Sequence, residues 1–255
     1  MRATCLLLLG ALIALPARAG QAYIPFVTTD PAGFDSGRSP IPGVVLYNLG
    51  SVARRYSVRF VPAGAIGLEG GELVQADMLA SRSFAGVSCC DRRSGVLVVS
   101  GAPQIAVSAE LDELFNHPQP NGILTRLPVL TTRDAVPAHG SALLQSLTWS
   151  QNGGVTSSLG ILNFGHRPAH CAVSGFVLAP ERFSELLGLI VAVGSTAALP
   201  DVLGQRIGSL GFSSYTAKPS VTCDQPFYPF AINYYGGSLP FIEIVSPSVV
   251  LGNAP

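Results

Sequence analysis

The sequence predicts an all-β protein made of two tandem antiparallel β-sandwich domains, each with a short helical turn. Three observations support this fold. Short segments alternate apolar and polar residues, as residues 56–60 do, and such alternation is typical of strands with one buried face. Gly, Pro and Asn mark turns about every 8–12 residues, and one segment occurs twice. Many short strands with this spacing of turns are typical of immunoglobulin-like sandwiches.

The repeated segment sets the domain organisation. Residues 44–60 read VVLYNLGSVARRYSVRF, and residues 159–176 read LGILNFGHRPAHCAVSGF. Asn48 and Gly50 of the first copy match Asn163 and Gly165 of the second. Each copy predicts a hairpin-like pair of strands around a tight turn, because Asn and Gly tolerate positive φ. One structural unit used twice is therefore expected, with domains at residues 20–132 and 133–255.

The elements follow in the same order in both units. In the first unit, strands are expected at residues 23–28, 44–47, 56–61, 95–100 and 104–111, and residues 123–131 lead to a linker at 132–140. In the second unit they are expected at residues 142–149, 156–163, 172–178, 211–216, 227–235 and 239–245. The short helical turns are expected at Asp77-Met78-Leu79 and at residues 199–203, where an aspartate would cap the first turn.

The N-terminus has the three parts of a secretory signal peptide. Arg2 precedes an apolar run at residues 5–15, and Ala17-Arg18-Ala19 is a small-x-small cleavage site. The run is shorter than the roughly 20 apolar residues that a bilayer span needs. Cleavage after Ala19 would leave a mature chain free in a periplasm or outside the cell. The protein is therefore expected to be secreted and not integral to a membrane.

Composition narrows the class of partner. The chain has 15 Lys and Arg against 15 Asp and Glu, and hydrophobic residues make up 48% of it. Such a chain buries enough apolar surface to fold, and it lacks the excess of positive charge that nucleic-acid binding needs. The partner is therefore expected to be an unidentified protein or glycan ligand.

Four cysteines remain after the predicted cleavage: Cys89, Cys90, Cys171 and Cys223. An even number in an exported chain predicts disulfides, with three possible pairings. Cys171–Cys223 is the simplest pair, since both residues lie in the second unit and Cys223 falls in an apparent insertion at residues 219–226. Cys89 and Cys90 are neighbours, and three states stay open for them: a vicinal disulfide, free thiols, or bonds to another chain.

Two clusters carry residue types that are used in catalysis or metal binding. His166, His170 and Cys171 offer imidazole and thiolate groups, which suit zinc. However, the i and i+4 positions of a strand do not share a helical face, so exposed histidines beside a structural cysteine are favoured. Asp112, Glu113 and His117 share a polar loop, but no nucleophile motif accompanies them. The sequence assigns no catalytic, cofactor-binding or metal-binding residue.

Aromatic residues offer a further hypothesis. Trp149, Tyr228, Tyr234 and Tyr235 could form a platform for sugars or peptides. Aromatic residues on strands more often fill the core of a sandwich, which is the favoured interpretation here.

Several short motifs resemble those of a loosely characterised group of exported bacterial proteins with tandem β-sandwich repeats. The matching motifs are Tyr23-Ile24-Pro25, Leu46-Tyr47-Asn48, Ile161-Leu162-Asn163, Asp201-Val202-Leu203 and Pro240-Phe241-Ile242. The chain departs from the group at residues 39–43, where a Trp-x-Thr-Asp step is usual. The resemblance implies a surface, adhesion or accessory role without accepted catalytic residues.

We therefore expect a non-enzymatic protein without a cofactor, which has a structural, adhesion or binding role at or outside the cell surface. The alternatives are a carbohydrate-binding accessory module and a secreted hydrolase.

Overall fold

A computed structural model describes residues 20–26, 41–65, 71–90, 93–112, 125–150, 154–178, 183–199, 201–204, 213–235 and 241–251. The strands in these residues are β1 Gln21–Phe26, β2 Ile41–Asn48, β3 Arg54–Pro62, β4 Glu72–Leu79, β5 Phe84–Ser88, β6 Gly95–Gly101, β7 Ile105–Asp112, β8 Thr125–Arg126, β9 Ser141–Leu144, β10 Leu147–Ser150, β11 Val155–Asn163, β12 Ala169–Leu178, β13 Phe183–Val191, β14 Thr196–Leu199, β15 Ser214–Ala217, β16 Ser220–Cys223, β17 Phe227–Tyr235, β18 Phe241–Val245 and β19 Pro247–Leu251. All of the strand pairings are antiparallel, which confirms the predicted all-β fold.

The strands form four sheets, which we number I to IV. Sheet I has the order β1-β6-β3-β4, and sheet II has the order β5-β2-β7-β8. Sheet III has the order β15-β10-β11-β17-β18, with β14 also paired to β11. Sheet IV has the order β13-β12-β16-β9-β19. The first half of the chain thus supplies sheets I and II, and the second half supplies sheets III and IV.

Strand order in the second half follows that of the first. The order β1-β6-β3-β4 of sheet I has its counterpart in β9-β16-β12-β13 of sheet IV. The order β5-β2-β7-β8 of sheet II has its counterpart in β14-β11-β17-β18 of sheet III. Strands β10, β15 and β19 extend the second half beyond this shared set. The two Asn-x-Gly segments occupy the same place in both orders, between β2 and β3 and between β11 and β12.

The two halves pack against each other through apolar side chains. Strand β11 points Leu159 and Ile161 into the core of the second half, whereas Leu162 belongs to the core cluster of the first half. Strand β17 divides its side chains in the same way, with Phe227 on one side and Phe230 on the other. Strands β11 and β17 of sheet III are therefore buried on both faces.

The expected hairpins around the two Asn-x-Gly turns are wrong. Strand β2 pairs with β5 and β7, whereas β3 pairs with β4 and β6 in the other sheet. Strands β11 and β12 likewise belong to sheets III and IV. Each turn is a corner that carries the chain from one sheet to the next. Sequence alternation marks the buried face of each strand but does not identify its hydrogen-bonded neighbour.

The helical turn expected at Asp77-Met78-Leu79 is also wrong. Asp77, Met78 and Leu79 lie in β4, and pairing with β3 overrides the weak local preference for a cap. In the second half, Asp201 lies in a turn in which its Oδ1 accepts a hydrogen bond from Gly204 N at 3.1 Å. The continuation at residues 205–212 lies outside the described residues.

A 3₁₀ helix at Thr132–Asp134 lies between the two halves, in the segment expected to be a linker. Thr131 and Asp134 form a reciprocal capping box around it, which satisfies backbone N–H groups at its start.

Two further expectations in the second half are wrong. The strand expected at residues 142–149 is divided into β9 and β10, which belong to sheets IV and III. The supposed insertion at residues 219–226 contains β16, which pairs with β12 as β6 pairs with β3. Residues 1–19, which carry the predicted signal peptide, lie outside the described residues.

Candidate binding surface

A buried asparagine organises the first corner. The Asn48 side chain is fully buried, and its Nδ2 donates hydrogen bonds to the carbonyl oxygens of Val52 at 2.9 Å and of Leu79 and Ala80 at 3.0 Å. Its Oδ1 accepts a hydrogen bond from Gly50 N at 2.9 Å. One side chain therefore joins the end of β2, the corner and the end of β4.

Asn163 makes the corresponding bonds at the second corner. Its Nδ2 donates to the carbonyl oxygens of Arg167 and Val191, both at 2.9 Å, and its Oδ1 accepts from Gly165 N at 2.7 Å. Val191 ends β13, as Leu79 ends β4. The sequence identified both asparagines and both glycines, but it did not indicate that their side-chain bonds reach a third strand.

The reason given for glycine in these corners needs correction. None of Asn48, Gly50, Asn163 and Gly165 has positive φ. A Cβ atom at Gly50 would lie 3.1 Å from Asn48 Oδ1, and one at Gly165 would lie 2.9 Å from Asn163 Oδ1. Glycine is favoured at Gly50 because the Asn48 oxygen approaches the backbone closely, and at Gly165 because a Cβ would also lie 2.7 Å from the Cβ of Gln225. Neither turn requires a left-handed conformation.

Cys171 and Cys223 form a disulfide across β12 and β16. They are directly opposite in the register, and their Cα atoms are 4.1 Å apart. The bond thus links two paired strands and does not tether an inserted loop. The Cys171 sulfur is in this bond and both His166 and His170 are exposed, so the three residues offer no thiolate to a metal ion. The described residues contain no cluster of His, Cys, Asp or Glu suited to metal binding.

Cys89 and Cys90 form a vicinal disulfide directly after β5. Cys90 is buried and has φ of 76°, a left-handed conformation that few residues other than glycine adopt. Strand β5 therefore ends at a fixed change of chain direction.

The four aromatic residues of the platform hypothesis do not share a surface. Trp149 lies in the core of the second half, and Tyr228 and Tyr234 lie in the cluster that joins the halves. Tyr235 donates its hydroxyl to Glu243 Oε2 at 2.9 Å. Burial, together with this carboxylate, raises the pKa of Tyr235.

The structure describes only part of the polar loop that carries Asp112, Glu113 and His117. Asp112 ends β7, whereas Glu113 and His117 lie outside the described residues.

A buried polar network in sheet III was not found by sequence reasoning. Asn233 Nδ2 donates to the Ser146 carbonyl oxygen at 2.6 Å and to Glu243 Oε2 at 2.8 Å, and its Oδ1 accepts from the Ser157 hydroxyl. Ser157 Oγ also accepts from Thr148 N at 2.8 Å. Ser146 has φ of 64°, so the network fixes the change of direction between β9 and β10.

The chemistry of this network indicates a structural role and not a catalytic one. The Ser157 side chain is fully buried, and its hydroxyl contacts amide and carbonyl groups that cannot accept its proton as a general base. The signal in the sequence was the presence of Asn233 inside the otherwise apolar strand β17.

Part of the outward face of sheet II is apolar and solvent-exposed, whereas Ser108 and Glu110 of β7 make the rest of that face polar. In β2, Val44 and Leu46 are buried, whereas Val45 and Tyr47 are 40% and 39% exposed. Phe84 of β5 is directly opposite Tyr47 and is 74% exposed. Ala106 of β7 flanks Tyr47 on its other side and is also exposed. These residues form one continuous surface, which we call the outer face: Val45, Tyr47, Phe84 and Ala106.

A cleft of about 450 Å³ lies between β1, β7 and the 3₁₀ helix. Gln21 in its lining binds Tyr23 and Ser100, and Thr131 belongs to the capping box. Much of the polar lining therefore serves the fold, and the outer face is the stronger candidate for binding.

Comparisons with protein-family models, curated proteins and solved structures found no match. The class of protein is therefore defined by the fold and the exposed surface alone. It is an all-β, disulfide-bonded protein with an exposed apolar surface on one sheet. Among the described residues, no helix is long and apolar enough to cross a membrane.

Proposed function

We propose that this is an exported, non-enzymatic protein of two immunoglobulin-like β-sandwich domains, which binds a partner at or outside the cell surface through its outer face. The exposed apolar surface around Tyr47 and Phe84 carries the proposal. Contiguous exposed apolar patches on folded proteins are typical of interaction sites, because their exposure to water is unfavourable.

Export is supported by the sequence pattern at residues 1–19 and by the disulfides. Disulfide bonds persist in oxidising compartments and are rare in the cytosol of most cells. The topological correspondence of the two halves supports the tandem-domain description and the resemblance to exported repeat proteins.

Co-sedimentation of the mature protein with cell-envelope fragments tests the binding role. Replacing Tyr47 and Phe84 together with serine should reduce binding at least about tenfold, since aromatic residues dominate the energy of most interfaces. Leu73→Ser is the matched control, because Leu73 is 55% exposed on β4, in another sheet. Binding of the double variant at the wild-type level would contradict the proposal. Ester, peptide and glycoside substrates should show no turnover.

A carbohydrate-binding module is the second candidate, supported by the same aromatic pair. Tyr47 and Phe84 are neighbours on an open sheet face, and aromatic rings on such a face can stack against sugars. Treating the envelope fragments with protease separates the two candidates. Binding that is lost after protease treatment indicates a protein partner, whereas binding that survives and appears on a glycan array indicates a carbohydrate.

A further inference from the structure

Strand β5 is an edge of sheet II that lacks the usual protection against pairing. Natural edge strands are blunted by charged residues or proline, because their unpaired backbone groups can bind another strand. Most edge strands in the described part of this chain carry such residues, namely Pro25 in β1, Glu72 and Asp77 in β4, Arg126 in β8, Glu185 in β13, Glu243 in β18 and Pro247 in β19. Strand β5, with the sequence FAGVS, carries none.

Two other edge strands, β14 and β15, also lack charge and proline. Both have only four residues, and the residues of β14 are buried or half-buried. Of the three strands, β5 carries the most exposed large apolar side chain, Phe84. Among the described residues it is therefore the edge with the most surface to bury by pairing.

The hydrogen-bond register shows which backbone groups of β5 face outward. Asn48 N donates to Ser83 O at 3.0 Å, which makes this a hydrogen-bonded position between the chains of β2 and β5. Hydrogen-bonded and non-hydrogen-bonded positions alternate along an antiparallel ladder. The backbone groups of Phe84, Gly86 and Ser88 therefore point away from β2, towards the free edge.

We propose that the partner of this edge is β5 of a second copy of the chain, paired antiparallel about Gly86. In that arrangement Gly86 lies opposite Gly86, and Phe84 lies opposite Ser88 of the copy. All three outward-facing residues then form backbone hydrogen bonds, and sheet II continues across both copies. The outer faces of the two copies join into one apolar band that contains Tyr47 and Phe84 from each.

A second copy fits this edge for two reasons. Antiparallel pairing about Gly86 is isologous, and the glycine on the symmetry axis brings no side chain against its copy. Without Arg2 and Arg18 of the predicted signal peptide, the chain has 13 basic against 15 acidic side chains, so the long-range repulsion between two copies is weak. The inference rests on the proposed binding role of sheet II, since it names a partner for that sheet, but its readout is independent of envelope binding.

Sedimentation velocity of the mature protein between about 1 µM and 1 mM tests the pairing. Wild-type protein should form a dimer within this range. Gly86→Lys should weaken the dimer roughly 10- to 100-fold, because it places two like charges opposite each other at the symmetry axis. A Cβ at Gly86 meets no atom within 4 Å and its φ is not positive, so lysine fits the monomer.

Gly188→Lys is the matched control. Gly188 is an exposed glycine in the edge strand β13, and a Cβ there also meets no atom within 4 Å. This variant should dimerise like wild type. Circular dichroism and the melting temperature establish that both variants fold.

Amide hydrogen exchange gives a second measurement that needs no variant. The N–H groups of Phe84 and Gly86 should exchange more slowly at high than at low protein concentration, because pairing covers them. A wild-type protein that stays monomeric, a dimer that Gly86→Lys leaves intact, or equal weakening by both lysine variants would overturn the inference. A monomer that still binds cell envelopes would overturn only the pairing and would leave the proposed function standing.

Discussion

The two Asn-x-Gly corners share their polar bonds and differ in nearly everything around them. Both asparagines are buried, and both bind the backbone two and four residues onward and the end of a neighbouring strand. Between asparagine and glycine, however, Leu49 is 63% exposed, whereas Phe164 packs edge-on against Tyr23 at a ring distance of 5.0 Å. The amide group of the asparagine stabilises each corner. The middle residue is not needed for these bonds and can therefore make a different contact in each half.

The strands that follow the corners differ as well. In the first half Tyr56 lies opposite Gly101, whereas in the second half Cys171 lies opposite Cys223 and is bonded to it. The same pair of positions thus holds an aromatic side chain beside a glycine in one half and a covalent link in the other. Equivalent backbone geometry does not require equivalent side-chain interactions.

The largest loss of stability is expected when a negative charge replaces the buried asparagine of a corner. Asn163→Asp places a carboxylate oxygen where Nδ2 now donates to the carbonyls of Arg167 and Val191. The free energy of unfolding should fall by about 3–5 kcal/mol, as for an uncompensated buried charge. Asn48→Asp should lose at least as much, since its Nδ2 faces three carbonyl oxygens. Urea unfolding measures both.

The control for the corners is Gln104→Glu, which changes an exposed amide and should alter stability by less than about 0.5 kcal/mol. Equal losses for the control and the corner variants would show that the side-chain bonds do not hold the corners.

Removal of the Cys171–Cys223 disulfide should give the next largest loss of stability. Replacing Cys171 and Cys223 together with serine should lower the free energy of unfolding by about 2–4 kcal/mol under oxidising conditions, because a loop of 52 residues is no longer closed in the unfolded chain. The difference from wild type should vanish in reductant. A variant lacking Cys89 and Cys90 separates the contribution of the vicinal pair. Thiol titration that detects free Cys171 and Cys223 in the oxidised native protein would contradict the bridge.

The middle residues of the corners test the contact between the halves. Phe164→Ala should lower the free energy of unfolding by about 1–3 kcal/mol, because it removes the aromatic contact and leaves apolar surface uncovered. Leu49→Ala should change it by less than about 0.5 kcal/mol, since Leu49 is exposed. Thermal unfolding of the pair measures the difference, and equal effects would mean that Phe164 does not join the halves.

The smallest change in stability is expected from replacing Asp201. Burial raises the pKa of this carboxyl above its usual value, against the opposing hydrogen bond from Gly204. Its folded pKa exceeds the unfolded one, so its contribution to stability is lost as pH rises through the folded pKa. Asp201→Asn keeps the acceptor and should stabilise the protein near pH 7 by less than about 0.5 kcal/mol, given solvent screening.

For Asp201, urea unfolding near pH 3 and pH 7 is the measurement. The gain should be absent at the lower pH, where wild type is protonated in both states. A gain of equal size at both pH values would exclude the charge as its cause.

The candidate surface was less visible in the sequence than the fold. The sequence predicts Tyr47 only as part of the strand at residues 44–47 and of the Leu46-Tyr47-Asn48 motif, and no motif contains Phe84. Alternation around them indicates a strand with two unlike faces, but in β2 both faces are apolar, as Val44, Val45, Leu46 and Tyr47 show. Exposure of one apolar face depends on which other sheet covers it, and that is a property of the packed molecule.

The sequence by itself determined the all-β class and the positions of the two Asn-x-Gly turns, because period-two alternation and repeated turn residues act locally. It also predicted the pairing of Cys171 with Cys223. Only the tertiary structure decided that each corner joins two sheets, that residues 77–79 pair as a strand, and that β11 and β17 are buried on both faces. These outcomes depend on contacts between residues far apart in the chain, where strand pairing and burial outweigh local preference. For the same reason, only the packed sheets show that β5 is left as an unprotected edge.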